Sequence, residues 1–188
     1  MRAQPIALLS LLVALSGCAS YHYKKTDPGT LKGTVTVKWY KPNLFVYEPD
    51  ASSPLTFTRK SGHPIIPAKM YTDGGSIPRA FWVFRNYSPW GYGPAFIVHD
   101  WLFHMQNCQL GDYKDYTLKE AATVMSEVMR TLMETPDFDY GSKTSMYLMY
   151  EAVQTAPARD AWDHGKCITP DILSVDRVPD ATIVIRIP

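Results

Sequence analysis

The 188-residue sequence lacks an excess of charge of either sign, since it has 19 Lys and Arg residues against 18 Asp and Glu residues. Nucleic-acid-binding domains normally carry a basic excess or a basic stripe, so this balance argues against a nucleic-acid partner. A long apolar run is also lacking. The stretch from Ile6 to Leu15 is about half as long as the roughly 20 residues that a membrane-spanning helix needs. There is no internal repeat and no low-complexity segment.

Proline and aromatic residues, in contrast, are plentiful. The chain has 15 Pro residues, a larger share than the usual ~5%. Its 7 Phe, 5 Trp and 12 Tyr residues are enough for a well-packed core and exclude a disordered chain. The length suits one domain with extensions. The sequence therefore predicts a loop-rich fold with short elements rather than a helical bundle.

The N-terminal segment carries a sorting pattern. Arg2 precedes the apolar stretch, and the sequence Leu15-Ser16-Gly17-Cys18 follows it. Small residues before a cysteine at this place resemble the lipobox of bacterial lipoproteins. The resemblance implies cleavage before Cys18 and lipid attachment to the thiol and the new amino group of Cys18. The alternative is a plain signal peptide with an incidental cysteine.

This resemblance divides the chain into three segments: a signal peptide over residues 1–17, a lipidated anchor and polar tether over 18–30, and a single globular domain over 31–188. Ala19-Ser20 contains no acidic residue. Because such residues help to select the membrane in bacterial lipoproteins, the resemblance implies the periplasmic face of the outer membrane. The membrane is then a partner through the lipid anchor.

Two cysteines remain once Cys18 is assigned to the anchor. Cys108 and Cys167 are a candidate disulfide pair, because thiols oxidise in the periplasm. The bridge would close a loop of roughly 60 residues and contribute about 3–4 kcal/mol to stability. The alternative is two free thiols, and the spacing does not fit a zinc site.

The periodicity of apolar residues predicts an α+β domain in which a small antiparallel sheet packs on about three helices. The predicted strands are Leu31–Tyr40, Leu44–Glu48, Leu55–Arg59, Ile65–Tyr71 and Thr182–Ile187. The predicted helices run from Gly93-Pro94 to about Met105, from Thr117 to Pro136, and from about Ser142 to Ala156. Residues 72–93 are expected to form an ordered loop rich in aromatic side chains.

One polar motif lies at the start of this aromatic loop, and a second lies in the helix that follows the loop. Asp73-Gly74-Gly75-Ser76 forms a turn in which carbonyl groups and a carboxylate can converge on a cation. His99-Asp100 lies within an otherwise apolar helix. Burying two titratable groups there costs free energy unless they bond partners or take part in the function of the protein. These six residues are the candidate site of the protein.

The two motifs, in this order, resemble the bacterial and phage family called domain of unknown function 1353. The resembling residues are Thr72-Asp73-Gly74-Gly75-Ser76-Ile77-Pro78-Arg79 and His99-Asp100-Trp101-Leu102-Phe103, and the resemblance covers roughly residues 60–165. The resemblance implies a phage or prophage origin, and it implies no particular activity.

The same motifs loosely resemble secreted phospholipases A2. That resemblance implies that His99 is the general base and that Asp100 is a ligand of Ca²⁺, with carbonyls from Gly74 and Gly75 and a loop shaped by Asp73. The second helix lacks the aspartate that would orient the histidine. Its facing positions are Ala121, Ala122 and Met125, and periodicity places Glu120 and Glu127 off the apolar face.

A structural role is the alternative for the same pair. Asp100 would then bond backbone N–H groups of residues 73–76, and His99 would cap a buried carbonyl group. Two functions follow from these alternatives. One is a lipid-anchored, phage-associated envelope protein that acts by binding; the other is a His-Asp hydrolase of lipid or cell-wall esters, with Ca²⁺ as its possible cofactor. The sequence identifies no substrate, protein partner or other metal.

Overall fold

A computed structural model describes residues 4–60, 62–72, 91–136, 141–169 and 178–187, with side chains from residue 15 onward. Five helices are described: α1 (Gln4–Lys25), α2 (Gly93–Cys108), α3 (Leu118–Glu134), α4 (Lys143–Ala152) and α5 (Ala156–His164). Six strands are described: β1 (Thr30–Tyr40), β2 (Leu44–Tyr47), β3 (Thr56–Thr58), β4 (Pro64–Ile65), β5 (Met70–Thr72) and β6 (Ala181–Ile187). The predicted α+β class is confirmed.

The 11-residue strand β1 is the centre of a curled antiparallel sheet. Its beginning pairs with β3, its end pairs with β2, and Gly33–Trp39 pair with β6. Gly33 adopts a positive φ of 103°, and a Cβ atom there would lie 2.2 Å from the carbonyl oxygen of Pro54. A glycine is therefore required where the partner of β1 changes.

The core lies between one face of this sheet and helices α2 and α3. Val35 and Val37 of β1 are fully buried, and the alternate residues Ile183 and Ile185 of β6 pack beside them on the same face. Apolar residues at helical spacing on α3 complete the core. Thr117 caps α3 by accepting a hydrogen bond from the backbone N–H of Glu120.

Two predicted elements differ from the structure because of proline. The strand predicted over residues 65–71 is two short strands, and β4 pairs with β3 whereas β5 pairs with β2. The helix predicted to run to Ala156 ends at Ala152, and Pro157 lies in the first turn of a new helix, α5. Proline begins a helix as readily as it ends one, since the first turn does not need its N–H.

The segment predicted as a polar tether, residues 21–30, is largely ordered. Helix α1 continues to Lys25, and β1 begins at Thr30. The reason is packing against a distant part of the chain: Ala19 is only 1% exposed, and α1 packs on α4. In the described parts of the chain, no helix combines the length and apolar character required to cross a membrane.

Candidate site around His99 and Asp100

Helix α2 carries the predicted site into the centre of the fold. Pro94 stands in its first turn, and the following residues Phe96, Ile97 and Val98 are buried. His99 is only 5% exposed, whereas the neighbouring Asp100 is half-buried. Successive side chains on a helix point about 100° apart, so the two groups meet different parts of the protein.

His99 faces α3. Its Nδ1 atom lies 3.2 Å from the carbonyl oxygen of Ala121. A carbonyl oxygen only accepts hydrogen bonds, so Nδ1 carries the hydrogen and, in the neutral ring, Nε2 has the lone pair. The orienting group is therefore a backbone carbonyl and not a carboxylate. The sequence predicts a buried carbonyl as one alternative partner of His99, but it does not identify Ala121, because a backbone acceptor has no side-chain signature.

Asp100 faces the sheet. The hydroxyl group of Thr72 donates a hydrogen bond to Oδ2 of Asp100 at 2.5 Å. Thr72 is the last residue of β5, directly before the predicted cation-binding turn. The pair His99-Asp100 thus links α2 to α3 on one side and to the end of β5 on the other. We call these two hydrogen bonds the α2 clasp.

The predicted turn residues Asp73, Gly74, Gly75 and Ser76 lie outside the described residues. Within the described ranges, no group of three or more His, Cys, Asp and Glu side chains is placed to hold a metal ion. The role of Ca²⁺ therefore stays a prediction that depends on residues 73–76.

A row of ring contacts connects His99 with the protein surface. The rings of His99 and Phe103 are 4.9 Å apart, and Phe103 meets Trp162 of α5 edge to face at the same distance. Trp162 borders an open groove of about 510 Å³, whose other walls include Lys114, Tyr116, Lys119 and Arg159. His99 is not among the described residues that line this groove.

The predicted disulfide partners lie at the end of the same helix. Cys108, the last residue of α2, is joined to Cys167 by a disulfide in the structure. The bond ties the segment after α5 to α2. It thereby holds Trp162 and Phe103 on neighbouring elements.

Cys18, the predicted lipidation residue, lies on the solvent side of α1 and is exposed. Its accessible thiol is compatible with chemical modification. Attachment of lipid to this residue remains a prediction.

The chain was compared with known families, curated proteins and solved structures. A family described as "Protein of unknown function (DUF1353)" matches residues 51–153, which include the α2 clasp and the predicted turn residues 73–76. No curated protein and no solved structure matches the chain. The matched region is more than half of the chain, and the chain belongs to the DUF1353 family.

Proposed function

We propose that the protein is a lipid-anchored protein of the bacterial envelope that acts by binding, on the periplasmic face of the outer membrane. The observation that carries the proposal is the position of Cys18. It follows an apolar stretch and the small residues Ser16-Gly17, and its side chain is exposed. Several acyl chains on one cysteine anchor a protein firmly, whereas one chain alone binds a membrane only marginally.

The α2 clasp agrees with this proposal, because both of its hydrogen bonds can serve a structural role. His99 is buried, and its Nδ1 atom is bonded to a backbone carbonyl. Asp100 is bonded to Thr72, the last residue of β5. Both bonds hold secondary structure together, and the clasp thereby fixes the end of β5 to α2.

Membrane fractionation of cells tests the anchor. We expect the wild-type protein in the membrane fraction and the Cys18→Ser protein in the soluble periplasmic fraction. The matched control is the double variant Cys18→Ser/Ser20→Cys, which keeps one thiol in the segment but displaces it by two residues. This variant should also be soluble, because processing requires the cysteine directly after Gly17. A Cys18→Ser protein that stays with the membrane would refute the anchor.

The second candidate function is ester hydrolysis with His99 as general base. The observation that favours it is the bond from Nδ1 to Ala121, because it selects the tautomer whose Nε2 atom can accept a proton. In this scheme the carbonyl of Ala121 takes the orienting role that a carboxylate has in other histidine-based sites.

The substitution His99→Asn separates the two functions. The amide nitrogen of Asn is attached to Cγ, as Nδ1 of His is, so it can still donate to Ala121 while the distal acceptor is lost. If His99 is a base, hydrolysis of a nitrophenyl ester or of phospholipid vesicles falls by about 10²-fold or more at an unchanged melting temperature. His99→Leu is the control that removes the donor too. Hydrolysis that is absent from the wild-type protein, with and without Ca²⁺, would exclude this second candidate.

A further inference from the structure

The solvent side of the last turns of α1 presents one continuous set of side chains, which we call the anchor stripe: Cys18, Tyr21, Lys24 and Lys25. Their spacing places them along one side of the helix. All four are exposed, and Tyr21 is 65% exposed. The ammonium group of Lys25 lies 5.9 Å from the centre of the Tyr21 ring. The stripe therefore combines the predicted lipidation residue with an aromatic ring and two positive charges.

The other side of the same turns is fixed to the domain. Ala19 and Thr26 are buried, and Nε2 of His22 lies 3.2 Å from the hydroxyl of the buried Ser126. The hydroxyl of Tyr23 donates to Glu134 at 2.9 Å. Arg130 also donates hydrogen bonds to the carbonyl oxygens of Tyr23 and Thr26. The residues after Cys18 are thus part of the folded body and not a flexible tether.

The position of Cys18 therefore determines how closely the body can approach the membrane. An α-helix rises 1.5 Å per residue, so Cys18 lies only about 6 Å along the axis from His22, which is already fixed to α3. A lipid attached at Cys18 is therefore not separated from the domain by a flexible segment. The side chains next to Cys18 then lie at the level of the lipid headgroups.

Helix α4 adds to the same surface. Lys143 is exposed at its first position, and the ammonium group lies 4.8 Å from the centre of the Tyr23 ring. The ring of Tyr147 lies 5.6 Å from that of His22. Glu151 lies near His22 and Tyr147, and Glu134, which bonds Tyr23, is paired with Arg130. Three lysines and Arg130 against these two glutamates give the group a positive excess.

We propose that the anchor stripe and Lys143 form the surface by which the domain rests on a phospholipid bilayer. The inference rests on lipidation of Cys18. Tyrosine side chains concentrate at membrane interfaces, because the ring is apolar and the hydroxyl is polar. Lysines near the bilayer attract anionic headgroups. The lipid holds the protein at the membrane, and the stripe sets one orientation.

Chemical labelling of lysines tests this orientation in the lipidated protein without any substitution. The lipidated chain is reconstituted into vesicles of phosphatidylethanolamine and phosphatidylglycerol, acetylated briefly, and analysed by mass spectrometry. A matched sample is labelled in detergent. Lys24, Lys25 and Lys143 are expected to react at least several-fold more slowly in vesicles than in detergent.

Lys41 and Lys69 are internal controls, since both are exposed and adjoin strands of the sheet: Lys41 directly follows β1, and Lys69 directly precedes β5. Lys41 follows β1, whose 11 residues extend up to roughly 33 Å from its beginning near α1. Both should react equally in the two samples. Equal rates for all five lysines in a vesicle-bound protein would overturn the orientation but leave the anchor intact. Protection that persists in detergent would indicate a protein contact and would also overturn it. Failure to bind vesicles would instead refute lipidation.

Discussion

Helix α3 is held on two flanks by different kinds of contact. Towards α2 the contact is mainly apolar, and it includes the hydrogen bond from His99 to the carbonyl of Ala121. Towards β3 and α1 the contact is polar, and it includes the buried or nearly buried residues Ser126, Glu127 and Thr131. The hydroxyl of Thr131, for example, accepts a hydrogen bond from the N–H of Gly29 at 2.9 Å. Helix α3 is thus joined to α2 mainly by apolar packing and to β3 and α1 by hydrogen bonds and an ion pair.

The two flanks differ in what they require of the sequence. An apolar flank tolerates many similar side chains, because burial is not directional. A polar flank requires a specific partner for each group, since an unpaired buried polar group is costly. The polar flank is therefore the more sensitive to single substitutions.

Arg59→Ala breaks the polar flank and has the largest expected effect. Nε and Nη2 of Arg59 bond the two carboxylate oxygens of Glu127 at 2.7 and 2.8 Å, and Nη1 reaches Glu120 at 3.1 Å. Removing the guanidinium leaves the Glu127 carboxylate buried without its partner. We expect a loss of about 3–5 kcal/mol in the free energy of unfolding, measured by chemical denaturation.

Lys60→Ala is the matched control for this prediction. Lys60 also pairs with a carboxylate, that of Asp27 at 3.1 Å, but both side chains are well exposed. Its loss should change the free energy of unfolding by less than about 1 kcal/mol. The double variant Arg59→Met/Glu127→Leu should recover most of the stability, because no charge remains buried. Similar values for Arg59→Ala and Lys60→Ala would contradict the comparison.

The same contrast explains which parts of the fold were predictable. Helix α3 and strand β1 are visible in the sequence because their burial repeats with a local period. Glu127 was expected off the apolar face, yet it is buried because Arg59, 68 residues earlier, neutralises it. Contacts over such separations have no local signature. The order in residues 21–25 was missed for the same reason.

The candidate site shows a similar division. The pattern identified His99 and Asp100 as polar groups in an apolar helix, and the structure buries His99 there. A buried carbonyl was one predicted alternative for His99, but its identity as that of Ala121 was not predicted, and neither was the hydroxyl of Thr72 as the partner of Asp100. A carbonyl belongs to every residue, and a threonine at the end of a strand is common. Only the packing of α2 on α3 and β5 selects these two.

Removing the disulfide at the end of α2, the helix on the apolar flank, has the second-largest expected effect. Cys108 and Cys167 are 59 residues apart, and the bridge limits the freedom of the unfolded chain. We expect Cys108→Ser/Cys167→Ser to lose about 2–4 kcal/mol in the free energy of unfolding. Reduction of the wild-type protein should give the same loss, and reduction of the double variant should give none. Equal stability with and without reductant would show that the bridge contributes nothing.

The smallest expected effect is a pH dependence on the polar flank. Burial lowers the pKa of His22 below its ordinary value of 6.5, and nearby Glu151 opposes this shift in part. The unfolded chain therefore binds a proton at a higher pH than the folded chain, and the stability present above about pH 6.5 is lost as the pH falls through the folded pKa. The free energy of unfolding, measured from pH 7.5 to 5.5, should show this loss. His22→Gln should reduce the slope of the free energy of unfolding against pH, because Gln can still bond Ser126 but does not titrate in this range.

His104→Gln is the comparison on the α2 side, where burial lowers the pKa of His104 as well. If His22→Gln leaves the slope unchanged while His104→Gln removes it, the pH-sensitive contact lies on the flank of α2 and not on that of α1.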